Sequence, residues 1–455
     1  MTATFDVISP VDETIVKTVR FADDTEVDAR VERANLAFAT WRRVAPGDRA
    51  RLLRRFAEAV DADIETLAGL EVRNAGHTIG NARWEAGNVR DVLTYYSAAP
   101  ERLAGRQIPV PGGIDVTFHE PVGVVGVIVP WNFPMPVAGW GFAPALAAGN
   151  TVVVKPAEYT PLTALRLEEL ALQAGLPPDV FQVVPGTGAE AGERLVGHPL
   201  VRKIVFTGST AVGKRIMSLC AEQVKPLTLE LGGKNANIVF ADADLERAAA
   251  TAPGGAFDNA GQDCCSRSRV LVQRSAFDRF MELLEPAVKS FAVGDPANPA
   301  TAMGPLISAR HREKVTSYID ERTAVAFRGT APQGPGFWFP PTVIAPVSAT
   351  DRQWREEIFG PVISVMPFED EEDAIRLAND TPYGLSGSLW TRDLGRALRV
   401  VRSWDSGNLS VNSHSSVRYW TPFGGFKQSG LGRELGPDAV EAFTETKNVF
   451  IATEE

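Results

Sequence analysis

The chain is 455 residues long, 44% hydrophobic and 22% charged, with a formal net charge of -10. That length exceeds one ordinary core, so two or three domains are expected, and the composition is globular rather than disordered or fibrous. The acidic balance argues against a general binder of nucleic acid or of anionic membrane. Three cysteines, two of them adjacent, form no disulfide framework and suit a reducing, cytoplasmic setting. Met1 to Pro10 lacks the basic start and apolar core of a signal peptide.

From the N-terminus, Thr25 with Asp28 predicts the start of a helix that carries Val27, Val31, Ala34, Phe38 and Trp41 at helical spacing. A second helix is expected over 48–70 and a third over 82–99. All three read as packing helices without chemistry. Residues 102–119 read as irregular chain ending in a strand over 115–119. The stretch 121–154 has no charged residue, but Pro130, Pro134, Pro136 and Pro144 break any continuous membrane span. It reads instead as strand, loop, short helix over 137–148, and strand.

From there strands over 122–129, 151–154, 180–184, 203–206 and 236–240 alternate with helices over 161–174, 189–197, 211–222 and 244–259. Thr160 reads as a cap with Pro161 at the first helical position, and Gly175 closes that helix. Such alternation implies an α/β fold with a doubly wound parallel sheet. A second alternating region follows, with strands over 270–273, 362–367, 386–390 and 408–411. Its helices fall over 276–290, 308–322, 370–379 and 393–403. Residues 444–452 read as a last strand.

Cys264 and Cys265 fall between the helix over 244–259 and the strand ending at Gln273. Asp242 or Asp244 is placed to cap that helix, Pro253-Gly254-Gly255 is a candidate break, and Gly261 suits the left-handed position that ends it. By itself the cysteine pair reads as structural; a nucleophile would need positive potential or a base beside it. Asn132, between Trp131 and Phe133, is either a loop asparagine satisfying backbone or a neutral donor for an oxyanion. Glu230, between leucines and next to Gly232-Gly233, either faces solvent at a strand end or is desolvated toward the pKa of a general base. Gly186 to Gly192 departs from the usual dinucleotide spacing, whereas the backbone N–H groups of Phe206-Thr207-Gly208-Ser209-Thr210 can receive a pyrophosphate. The five histidines are scattered without ligand spacing, so no metal site is expected.

Seven motifs occur in order: Pro130-Trp131-Asn132-Phe133-Pro134, Lys155-Pro156-Ala157-Glu158, Phe206 to Thr210, Leu229 to Lys234, Asn259-x-Gly261-Gln262-x-Cys264, Glu356 to Val362, and Pro422 to Lys427. In this series the chain resembles the aldehyde dehydrogenase superfamily over nearly its whole length. The resemblance implies a cofactor domain with a parallel sheet (1–102 and 122–232), a second α/β catalytic domain (233–428), a connecting segment (429–443) and a small oligomerisation sheet (103–121 and 444–455). It implies that Cys264 is the nucleophile, Asn132 the oxyanion amide and Glu230 the base for the deacylating water. NAD would lie along Val129, Pro130, Trp131, Phe206, Gly208 and Ser209, with Gly188, Gly192, Val212 and Leu231 beside it. Lys155 and Glu158 match positions at the adenosine ribose, and Glu357 and Phe359 positions at the nicotinamide. A carboxylate at Glu158 favours NAD over NADP, because it repels a 2′-phosphate.

The aldehyde would be lined by Phe133, Val137, Trp140, Val417 and Phe423. Asp258 departs from the aromatic residue common six positions before the nucleophile, and suits an ω-aminoaldehyde. Arg418 pulls the other way if it points inward. A homodimer or homotetramer is implied. The competing expectations are a thiol esterase or acyl-transfer enzyme, which needs neither Glu158 nor Glu357, and a non-catalytic protein on the same fold.

Overall fold

The computed structural model describes residues 3–415 and 417–453; Met1, Thr2, Ser416, Glu454 and Glu455 lie outside it. Strands Val124–Ile128, Thr151–Lys155 and Phe181–Val183 are wholly buried, the mark of parallel strands covered on both faces. They belong to a six-stranded sheet whose spatial order is Gly430–Leu431, Leu227–Glu230, Val201–Thr207, Val124–Ile128, Thr151–Lys155, Phe181–Val183. Only Gly430–Leu431 runs antiparallel to its neighbour. Helix Pro134–Ala148 is buried at every position and packs on this sheet. A helix apolar all round has to be enclosed.

A second sheet of seven strands follows the order Val325–Arg328, Thr342–Ile344, Val362–Phe368, Arg269–Gln273, Ala236–Val239, Ser386–Trp390, Asn408–Val411. It is parallel except at the Val325–Arg328 edge. Each sheet has its own apolar core: one reaches from Trp41 through Val205 to Phe443, the other from Ala236 to Trp404. A third, antiparallel sheet pairs Thr444–Ala452 with Gly113–Pro121 along their whole length, and Gln107–Val110 joins its other side. Residues paired directly across strands share a face. One face of this sheet therefore carries Ile114, Phe118 and Ile451, which are 43%, 48% and 51% exposed. No helix among the described residues is long and apolar enough to cross a membrane.

Several local expectations are corrected. The first helix, Asp24–Trp41, is capped by Asp23, whose side chain accepts from the Glu26 N–H. Asp28, expected in the cap, instead binds Arg194. The expected 48–70 helix is two, Pro46–Ala62 and Ile64–Ala75, parted at Asp63. Thr160 makes no cap hydrogen bond, and Pro161 precedes the helix Leu162–Gln173. Helix Ala309–Thr316 stops well short of 322. Pro253 interrupts nothing: helix Leu245–Phe257 runs through it, capped by Asp244, while Asp242 accepts from Thr391 and Arg396. The segment expected as helix over 189–197 opens as a π-turn, Gly188–Gly192. Short strands at Leu227–Glu230, Gln107–Val110, Val325–Arg328 and Thr342–Ile344, and the hairpin of Thr4–Ile8 with Ile15–Arg20, had no clear pattern in the sequence.

Candidate active site

A cavity of about 420 Å³ opens where the C-terminal ends of the six-stranded sheet face the turn that leads into the second sheet. That turn is unusual backbone. After Phe257 the chain takes left-handed conformations at Asn259 (φ 47), Ala260 (φ 55) and Gly261 (φ 68) in succession. Non-glycine residues pay for this conformation, by roughly 1–2 kcal/mol each, so side-chain contacts must hold it. Gln262 supplies them: its Nε2 donates to the Asn259 carbonyl at 3.0 Å, and its Oε1 accepts from the Ile307 N–H at 2.9 Å. A Cβ on Gly261 would sit 2.2 Å from the Gly360 carbonyl oxygen, so glycine is required for space as well as for φ.

The turn presents Cys264, half-buried, at the cavity wall. Asn235 Nδ2 holds its carbonyl at 2.7 Å. The hydrogen bond with the Cys265 thiol, then burial, then the charges of Asp263 and Glu230 push the Cys264 thiol well above its ordinary pKa. The resting group is a thiol. Asn132, at the end of the neighbouring sheet, lines the same cavity; its Nδ2 donates to the Gln262 carbonyl at 3.0 Å and its carbonyl accepts from Asn259 Nδ2 at 2.8 Å. The asparagine is thus locked to the turn that carries the thiol. Glu230 ends strand Leu227–Glu230, buried, with no hydrogen-bond partner on either carboxyl oxygen. Burial and the neighbouring Glu434 push it well above the carboxylate range, against the pull of Arg433. The solvent-facing alternative for Glu230 is excluded.

Of the residues matched to the dinucleotide, Pro130, Trp131, Gly208, Ser209, Leu231, Glu357 and Phe359 line the cavity. Ser209 caps helix Thr210–Ala221, accepting from the Val212 N–H at 3.4 Å. The Glu357 carboxylate accepts from the Gly233 N–H at 2.9 Å and lies over Gly232, where a Cβ would fall 2.5 Å from it. Trp131 meets Phe359 edge to face at 5.4 Å. The cavity does not reach Val129, Lys155, Glu158, Gly188, Gly192, Phe206 or Val212. These stand further along the ends of the same strands and the starts of the helices that follow. Lys155 is buried 3.8 Å from Glu158, and Gly192 lies beside its side chain. Burial pushes Lys155 down, and Glu158 opposes that.

The residues expected to line the aldehyde, Phe133, Val137, Trp140, Val417, Phe423 and Asp258, also line the cavity. Trp140 Nε1 is fixed by Asn88 Oδ1 at 2.8 Å. Asp258 faces the cavity, accepting from Asn81 Nδ2 at 2.5 Å and from the Asn259 N–H at 3.0 Å. Arg418 does not line the cavity; it lies against Ser415. Sequence reasoning missed Trp84, Asp263, His311 and Lys314. Asp263 was legible as the nucleophile's neighbour. His311 and Lys314, three residues apart, share one face of helix Ala309–Thr316. His311 binds the Phe359 carbonyl at 2.7 Å, and burial pushes it down to about 4.

The family model for the aldehyde dehydrogenase family matches residues 1–449. An aldehyde dehydrogenase of Emericella nidulans is 40% identical over 453 residues, spanning 98% of this chain and 91% of that protein. A hydroxyisobutyraldehyde dehydrogenase of Mycolicibacterium austroafricanum is 41% identical over 459 residues, spanning 99% and 91%. Among solved structures, betaine aldehyde dehydrogenase of Staphylococcus aureus in complex with NAD+ superposes with a TM-score of 0.97 at 37% identity, covering 100% of this chain and 92% of that one. PnpE in complex with nicotinamide adenine dinucleotide gives 0.97 at 40% identity, covering 100% and 95%. With a thiol, an amide and a buried carboxyl converging on one cavity, and likeness along essentially the whole chain, the protein belongs to the aldehyde dehydrogenase family.

Proposed function

We propose that this chain oxidises an aldehyde to a carboxylic acid through a thioester on Cys264, with NAD as the hydride acceptor. The observation that carries the reading is the meeting of Cys264, Asn132 and Glu230 in one cavity. Cys264 attacks the carbonyl carbon and its proton leaves through Glu230 or water. The Asn132 amide and the Cys264 N–H donate to the oxyanion, a pair typically worth about 10²–10³-fold per donor in rate. NAD, when bound, supplies the acceptor for the hydride lost from the thiohemiacetal carbon. Glu230 then takes a proton from water as it attacks the thioester, releasing the acid and restoring the thiol. Its lack of fixed partners leaves both oxygens free for this.

The fit to a dinucleotide rests on the chain's own groups. The helix start at Ser209 offers N–H groups to a pyrophosphate, and the Glu357 carboxylate, seated over Gly232, suits ribose hydroxyls. Lys155 and Glu158 stand beyond the cavity, at the end of the neighbouring strand Thr151–Lys155, and there Glu158 would disfavour a 2′-phosphate, so NAD is preferred to NADP. On this reading, residues 1–102 and 122–232 serve the dinucleotide, residues 233–428 carry the thiol, and the sheet of 103–121 and 444–455 pairs copies of the chain.

The substrate is an ω-aminoaldehyde. Asp258 lines the cavity, as do Trp84, Phe133 and Trp140. A carboxylate beside aromatic faces suits an ammonium group. The name of the Staphylococcus aureus relative, a betaine aldehyde dehydrogenase, is in keeping with a cationic substrate. The deciding assay follows NADH absorbance with a panel of aldehydes, NAD against NADP, for wild type and Cys264→Ala. Wild type should turn over with the higher kcat/KM for NAD, and Cys264→Ala should lose essentially all activity. Retained dehydrogenase activity in the alanine variant would overturn the thioester route, and equal use of both dinucleotides would remove the role given to Glu158.

A further inference from the structure

We propose that Asp263, Cys264 and Cys265 together form an inhibitory binding site for a thiophilic divalent cation of the zinc and cadmium class. One carboxylate oxygen and the two Sγ atoms lie within 4.8 Å of one another. All three residues line the cavity, so an ion reaches them from solvent. In a tetrahedral thiolate site the metal–sulfur distance of about 2.3 Å sets sulfurs about 3.8 Å apart. The donors therefore need to close by no more than about 1 Å to enclose an ion. The carboxylate is already steadied, because Asp263 Oδ1 accepts from the Cys265 N–H at 2.8 Å. Three donors from one short turn leave the fourth position to a water on the cavity side.

Among the described residues, one other cluster brings three such donors equally close, Glu71, His77 and Glu85. It is sealed from solvent, with side chains 0%, 2% and 0% exposed, and His77 is already engaged with Glu85. The nitrogen of His77 that faces the two carboxylates is already hydrogen-bonded to Glu85, and the closed core gives an ion no way in. The thiol turn differs in opening onto the cavity.

Binding forms two metal–sulfur bonds and one metal–oxygen bond to the Asp263 carboxylate in place of waters on the ion, and releases two thiol protons to solvent, while the metal stays divalent and nothing is oxidised or reduced. The lone pair that Cys264 would use on a carbonyl is then held by the metal. Aldehyde oxidation stops although the residues expected to bind the dinucleotide are untouched. Hard cations such as magnesium favour oxygen cages of higher coordination and gain little from two sulfurs, so they do not compete. The site stands on donor geometry and does not depend on the aldehyde reading.

The test uses the full-length protein, first freed of metal with a chelator. Titration with Co²⁺ should give a thiolate-to-metal charge-transfer band that saturates at one ion per chain. Added Zn²⁺ should abolish that band, inhibit aldehyde oxidation and be reversed by EDTA, whereas Mg²⁺ should do none of these. In Cys265→Ala and in the nearly isosteric Asp263→Asn, the Zn²⁺ concentration for half-inhibition of each variant's own activity should rise ~10-fold or more. A wild-type protein without the cobalt band overturns the site. So does a Zn²⁺ sensitivity that neither substitution moves. The cobalt spectrum is read without turnover, which separates this failure from any failure of the enzymatic reading.

Discussion

Asp258 shows how much one side chain can decide. Its carboxylate is set in place by Asn81 and by the Asn259 N–H, with His77 behind it, before any substrate arrives. A charged hydrogen bond of this kind contributes about 1.5–3 kcal/mol, so Asp258→Ala should raise KM for 4-aminobutyraldehyde by roughly 10- to 100-fold. Neutral aldehydes of the same length should be spared, and an equal rise for both would end the aminoaldehyde assignment. His77 is the other residue with an outsized effect. Burial alone pushes it down, but Glu85, Glu71 and Asp258 surround it and carry it up to about 9. Glu71, buried with them, is pushed up to about 8. Each group binds its proton more tightly folded than unfolded. The stability they contribute is complete below the unfolded values and is lost as pH climbs through about 8 and then about 9. His77→Gln leaves buried carboxyls without their cation and should cost ~3–5 kcal/mol near neutral pH. Scanning calorimetry across neutral to alkaline pH checks both points; a wild-type melting temperature that does not fall on the alkaline side, or one that the variant matches throughout, contradicts them.

The turn from Asp258 to Ser266 is the element on which the cavity depends. Its left-handed run aims Cys264 across the gap, and its hydrogen bonds to Asn132 and Ile307 bind it to both neighbours. Gly261→Ala places a methyl group against the Gly360 carbonyl and strains a residue already at φ 68. Overpacking of this sort costs typically ~1–3 kcal/mol. The turn must move to relieve it, so kcat should fall ~10-fold or more even where the protein stays folded. Denaturant unfolding and single-turnover rates measured together decide this. A variant with native stability and native kcat would mean that the turn is not held as described. Other elements rest on weaker local signals. The helix at Asp24 was expected to be capped by Thr25 and Asp28, yet Asp23 caps it, because several residues able to cap lie side by side and only the path of the chain selects one.

At the scale of the whole molecule, the cavity exists because two sheets with separate cores face each other. Glu230 ends a strand of the first and Asn132 follows one, while Glu357 and Cys264 lie just ahead of strands of the second. The third sheet belongs to neither core and turns Ile114, Phe118 and Ile451 outward. On the reading proposed above, this partly apolar face, with Lys447 opposite Phe118, is where copies of the chain would pair. Phe118→Asp should reduce the oligomer to smaller species in sedimentation velocity while leaving the fold intact by circular dichroism. A wild type that sediments as a monomer would contradict the role given to this sheet.

The sequence by itself determined the α/β class, the buried parallel strands, the final strand and the short motifs that hold Cys264, Asn132 and Glu230. Each of these is written in contiguous residues, where apolar runs, turn glycines and motif spacing act over a few positions. Only the tertiary structure decided that Glu230 is buried beside Glu434, that Asp258 faces the cavity while Arg418 does not, and that His77 lies amid carboxyls. Asn81 stands 177 residues from Asp258; Glu85 is only eight residues from His77, but it and Glu71 sit on separate helices, so burial, charge coupling and side-chain direction follow from how elements pack and not from any local pattern.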